Sequence, residues 1–149
     1  AEWEALKANP ERAALVVEES LRLSTPSQGL FRVAKVDAEV GGVPIPAGSK
    51  IFLAYTAANR DPLKFPEPNA FIPDRENVRD HMAFGGGVHF CIGAPLSRLE
   101  SVIALEKIAQ RWNTMEVTNA KGDPEEWPLR YEPSFVLRGL SSLHLRITC

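Results

Sequence analysis

The run from Phe84 to Gly93, Phe-Gly-Gly-Gly-Val-His-Phe-Cys-Ile-Gly, sets one cysteine among glycines just ahead of an apolar, helix-forming segment. Backbone N–H groups at a helix start lack internal partners and carry the positive end of the helix dipole, which favours a thiolate over a thiol at Cys91. Glycines on both sides let a large flat group approach the backbone, because no Cβ stands in the way and positive φ is open to them. Cys91 is thus placed to ligate a cofactor through sulfur. Two other chemistries compete. Cys91 could be a small buried hydrophobe beside a glycine cluster, or a nucleophile activated by His89. Positions i and i+2 of a tight loop suit that thiolate–imidazole pairing poorly, and no acid or amide stands nearby in sequence to orient the imidazole.

Glu19 and Arg22 form a second constellation. At i and i+3 of a helical segment, carboxylate and guanidinium share one face within pairing distance. Taken alone, such a pair is a solvated bridge worth about 0.3–0.5 kcal/mol. A third candidate is Arg75, which ends Phe71-Ile72-Pro73-Asp74-Arg75 in a proline-rich stretch.

The cysteine loop resembles the haem-binding loop of the cytochrome P-450 family, Phe-x-x-Gly-x-Arg/His-x-Cys-x-Gly. Phe84, Gly87, His89, Cys91 and Gly93 fill it in order, which makes the motif a specific one. The family also carries Glu-x-x-Arg in an upstream helix and an arginine from an intervening meander, and Glu19, Arg22 and Arg75 stand in that order here. The resemblance implies haem b as cofactor, with Cys91 as axial thiolate to its iron, Phe84, Gly85, Gly93 and Ala94 against it, and Arg32 and His89 as partners of its propionates. It further implies a buried triad in which Glu19 accepts forked hydrogen bonds from both guanidinium groups and holds the cysteine loop in place. Glu76 stands where the family has an aromatic, a departure that concerns the packing of the meander and leaves the triad residues in place. Substrate contacts are implied at Ser27, Gln28, Gly29 and Leu30 and in the turn 136–140, Leu137 and Leu140 above all.

The reaction implied is monooxygenation of a small organic substrate, because a thiolate ligand donates electron density to haem iron and favours O–O cleavage. Electrons would come from a ferredoxin or flavoprotein reductase docking on the cysteine side, with Arg79, Arg98, Lys107 and Arg111 as candidate contacts. The resemblance runs the length of the chain but covers only the C-terminal part of the family. The distal helix with its Ala/Gly-Gly-x-Asp/Glu-Thr motif does not occur here, so no catalytic residue is assigned. Residues 1–149 are accordingly expected to be the C-terminal haem-binding part of a single domain, the N-terminal part with the distal helix being absent. A noncatalytic haem-binding fragment or vestigial module, or one half of a protein completed by a separate N-terminal chain, is the alternative.

The elements that would position these residues read as α+β. Residues 2–7 end one helix at Asn9-Pro10; Asn9 can cap and Pro10 can open the next helix, which runs to about residue 23 and stops before Pro26. Residues 30–36 and 50–55 are strand-like and, with Gly41-Gly42 and Pro46-Ala47-Gly48 as turns, predict a small antiparallel sheet. One helical turn at 56–60 precedes a meander whose prolines leave no regular element. Residues 95–112 predict the longest helix, whose wide apolar face, Leu96, Leu99, Val102, Ile103, Leu105, Ile108, Ala109 and Trp112, calls for burial on more than one neighbour. Residues 115–118 and 135–147 predict short strands around a turn at Arg138-Gly139.

Composition narrows the function classes. The formal net charge is −2 and the pI about 6.0, which argues against a nucleic-acid binder, and no basic tract points to a membrane surface. No run is long and apolar enough to span a bilayer, so a soluble, cytoplasmic protein is expected. The two cysteines, Cys91 and Cys149, are no disulfide framework and suit a reducing compartment. His81, His89 and His144 share no metal-ligand spacing with them. At 149 residues and 44% hydrophobic content, one sizeable core is possible.

Overall fold

Asn9 and Pro10 break the first helical run as their chemistry requires. In the computed structural model, which describes residues 2–119, 121 and 129–149, helix α1 spans Glu2–Ala8 and the Asn9 side chain accepts from the Glu11 N–H at 3.2 Å. Pro10, lacking an N–H, opens a single 3-10 turn (Pro10–Arg12), so helix α2 starts three residues later than the sequence predicts, at Ala13–Ser24. Thr25 ends it, its hydroxyl donating to the carbonyls of Leu21 and Arg22 at 3.1 and 3.0 Å.

Strand β1 (Gly29–Val33) pairs antiparallel with β4 (Lys50–Ala54), in the register Gly29 with Ala54 through Val33 with Lys50. The register is tight at its start: a Cβ on Gly29 would lie 2.3 Å from the Leu53 carbonyl oxygen, so only glycine fits. Between them β2 (Ala38–Val40) and β3 (Val43–Ile45) form their own hairpin. Gly41 and Gly42 close it with φ of +58° and +79°, the doubly left-handed turn that suits strand twist. The four-residue helix α3 (Tyr55–Ala58) follows β4 directly. The meander then wraps α2 in tight turns, among them Phe65 N–H to Asp61 oxygen at 2.7 Å. A 3-10 turn, Val78–Asp80, survives in it, where the proline count predicts no regular element.

Helix α4 runs Ala94–Arg111 with Pro95 in its first turn. Leu6, Ala13 and Ala109 form a hydrophobic core cluster between α1, α2 and α4, flanked by Trp3, Val102 and Leu105. Only one side of α4 is covered: Leu96, Leu99 and Ile103 remain 59%, 58% and 47% exposed. The expectation of burial on several neighbours is therefore met by α1 and α2 on one face alone. Strand β5 (Thr114–Thr118) pairs antiparallel with β6 (His144–Thr148). The strand expected at 135–147 shrinks to β6, because the residues before it bond elsewhere: Arg138 N–H donates to the Pro26 oxygen, and the Val136 oxygen accepts from Gln28 N–H, each at 2.7 Å. These bonds, with the bridge between Ser27 and Leu137, tie the tail to the residues leading into β1.

Candidate functional site

The cysteine loop is a chain of backbone turns. Gly85 and Gly87 take φ of +70° and +63°, values that call for glycine at both positions. Gly85 N–H donates to the Met82 oxygen at 2.9 Å, Cys91 N–H to the Phe84 oxygen at 2.9 Å, and Ala94 N–H to the Cys91 oxygen at 3.1 Å. Gly93 is the N-cap of α4. Cys91 thus stands two residues ahead of the cap, with its thiol exposed beyond the helix end and not in its first turn. Ala94 is fully buried at the helix start.

Two clefts meet at His89. The smaller, about 210 Å³, brings Cys91 together with Ser27, Leu30, Tyr55, Phe84 and Gly85. The larger, about 840 Å³, is lined by Phe31, Arg32, Val33, Lys35, Lys50 and His89. An accessible sulfur therefore adjoins an apolar wall rimmed with cationic groups. Arg32 is held in place by a bond from its guanidinium to the Phe31 oxygen at 2.9 Å. Lys35 and Lys50 follow no motif in the sequence; Lys35 lies just past the end of β1, and the β1–β4 register, which sets Lys50 across from Val33, brings Lys50 beside Arg32. Of the candidates for substrate contact, Ser27 and Leu30 line the smaller cleft. Gln28 is taken up by the tail, Gly29 is pinned in the sheet, and neither Leu137 nor Leu140 lines either cleft.

Glu19 and Arg22, on successive turns of α2, are both fully buried. Arg22 donates to both Glu19 oxygens at 2.7 and 2.8 Å, and Arg75 Nε donates to Oε1 at 3.1 Å. The Ile72 N–H adds a fourth bond at 2.8 Å. Burial opposes ionisation of Glu19, but the bonds from Arg22, Ile72 and Arg75 outweigh it and hold its carboxyl below the usual carboxylate range. The spare guanidinium donors fasten the meander: Arg22 to the oxygens of Asn59, Pro68 and Ala70, Arg75 to those of Pro66, Glu67 and Ala70. Glu67, at a left-handed φ of +50°, is one of the residues so gripped.

A second buried carboxylate, which the sequence did not single out, lies one residue earlier. Glu18 accepts from Arg98 at 2.6 and 3.1 Å and bonds His81 Nε2 at 2.9 Å. Burial again opposes its charge, and the bonds from Arg98 and His81 prevail, lowering its pKa. Arg98 also lies 4.6 Å from the centre of the Phe84 ring, which withdraws it from the free surface charges expected to meet a redox partner. Arg79, Lys107 and Arg111 are exposed.

The cytochrome P450 family model matches residues 13–138. The chain is 38% identical, over 96% of its length, to beta-dihydromenaquinone-9 omega-hydroxylase of Mycobacterium tuberculosis, of which it covers 27%. It is 37% identical, over 95% of its length, to 6-deoxyerythronolide B hydroxylase of Saccharopolyspora erythraea, of which it covers 34%. A solved cytochrome P450 from Chondromyces apiculatus superposes with a TM-score of 0.87 at 37% identity, over 99% of this chain and 36% of that one. The chain spans about a third of the length of the relatives it matches. Its helices and paired strands are those of the C-terminal part of that fold, and with the family model covering most of its residues this chain belongs to the cytochrome P450 family.

Proposed function

We propose that residues 1–149 are the haem-binding part of a thiolate-ligated monooxygenase, in which the Cys91 thiolate would hold the iron of haem b. The observation that carries this reading is the exposed Cys91 thiol in a cleft that opens, past His89, onto an apolar wall rimmed by Arg32, Lys35 and Lys50. A soft sulfur donor and a flat apolar surface with cations at its edge fit an iron porphyrin with two carboxylates. Arg32 and His89 would neutralise the propionates. Phe84, Gly85 and Gly93 would border the ring, and Glu19, Arg22 and Arg75 would keep loop and meander in register. Bound there, a thiolate-ligated haem supplies the electron-rich iron that favours O–O cleavage and insertion of oxygen into a C–H bond.

The substrate is a small, largely apolar organic molecule, a reading supported by relatives named as hydroxylases of beta-dihydromenaquinone-9 and of 6-deoxyerythronolide B. Electrons come from a ferredoxin or flavoprotein, and the two free thiols suit the reducing cytoplasm. Among the described residues no helix is long and apolar enough to cross a membrane. The test is to add haem to the chain, reduce it and expose it to carbon monoxide. A red-shifted, thiolate-type Soret band that vanishes in Cys91→Ala is the expected result, and an imidazole-type band or no uptake counts against the assignment.

A further inference from the structure

The cluster of Glu18, His81 and Arg98 joins three separate parts of the chain beneath the cysteine loop. Glu18 belongs to α2, Arg98 to α4, and His81 to the segment that leads into the loop, and the carboxylate they share is 3% exposed. The backbone N–H of Ala83 donates to His81 Nδ1 at 3.1 Å. A backbone N–H can only donate, so Nδ1 accepts and the ring proton sits on Nε2, aimed at Glu18. Arg98, held by two bonds to Glu18, lays its guanidinium over Phe84, and the His81 ring lies 6.2 Å from the same phenyl ring. Phe84 in turn supplies the carbonyl that receives the Cys91 N–H.

We propose that Glu18, His81 and Arg98 form a positioning relay, in which the buried carboxylate fixes Arg98 and His81 around Phe84, and Phe84 fixes the backbone of Cys91. The relay matters because Cys91 is the working residue, and in that respect it rests on the function proposed above. None of the three is a catalytic residue; they act through Phe84. Lysine in place of Arg98 keeps the charge but loses both the planar fork on Glu18 and the flat face on the ring.

The test uses the full 149-residue chain carrying Cys149→Ser, so that Cys91 is its sole thiol, without haem. Amide hydrogen exchange across residues 84–91 and the alkylation rate of Cys91 by iodoacetamide are compared in Arg98→Lys, Glu18→Gln, Phe84→Leu and the double variant Arg98→Lys/Phe84→Leu. Glu116→Gln, far from the loop, is the control. Exchange about tenfold faster in the loop is expected for Arg98→Lys, the loss of one charged hydrogen bond, with an altered alkylation rate and with α1, β5 and β6 as protected as in the chain carrying Cys149→Ser alone. Once Phe84 is leucine, Arg98→Lys should add little, because the two residues act in series. Unchanged exchange at residues 84–91, a rise spread evenly over the whole chain, or full additivity of the two substitutions each overturns the relay. Haem titration of Cys91→Ala reports separately on the ligand assignment, so a relay that holds while Cys91→Ala keeps the wild-type spectrum would overturn the haem reading alone.

Discussion

Glu18 and Glu19 are neighbours in sequence, both buried and both ionised, yet they serve different ends because one residue along a helix turns the side chain by about 100°. Glu19 faces the meander and Glu18 the cysteine loop. Truncating a partner of a buried, fully paired charge leaves the other uncompensated, at a cost of about 3–5 kcal/mol. Arg22→Ala should therefore lose stability on that scale in urea unfolding. Arg146→Ala, which removes a half-exposed partner of Glu116, should lose under about 1 kcal/mol. His81 adds a pH dependence. Burial lowers its pKa below the ordinary 6.5, with Glu18 pulling the other way and Arg98 adding to the fall. The unfolded chain then binds a proton at a pH where the folded one does not, so stability is full above about 6.5 and falls as the pH drops through that value toward the native pKa. Glu18, lowered from 4.5, adds a further loss below that point. Urea midpoints measured between pH 8 and 5 should show the first decline, and His81→Gln should flatten it.

Among the elements, the strongest local constraint is at the start of β1. Alanine at Gly29 would drive its Cβ into the Leu53 carbonyl and the Phe52 ring, and overpacking of this kind costs about 1–3 kcal/mol. Gly139→Ala, with open space around the position, should change thermal stability little; equal losses at the two sites in thermal melts would contradict the close packing described. The turns were legible from composition: Asn9-Pro10, Gly41-Gly42 and the glycines of the cysteine loop all act through backbone sterics that a few residues decide. The extent of the strands was not. Residues 135–143 have strand-like side chains, but their backbone groups go to Pro26, Gln28, Arg130 and Glu132, more than a hundred positions away in the first two cases. The same holds for Glu18, whose partners lie 63 and 80 positions along the chain and follow no spacing a motif could carry.

At the scale of the molecule, apolar side chains stay open to solvent: Leu96, Leu99 and Ile103 on α4 are about half exposed, and Val88 and Ile92 beside Cys91 are each more than nine-tenths exposed. The chain at high concentration should accordingly bind a fluorescent apolar dye and self-associate, and Leu99→Lys should reduce both, measured by dye titration and sedimentation, without lowering the melting temperature. The sequence by itself determined the cysteine loop, the Glu19–Arg22 turn, the order of helices and sheet and the family they belong to, because these rest on local sterics, helical spacing and a short motif. Only the tertiary structure decided which cations rim the cleft beside Cys91, which carboxylate holds Arg98, and which face of α4 is covered. Those outcomes depend on surfaces brought together from distant parts of the chain, where burial makes one pairing far more favourable than its alternatives.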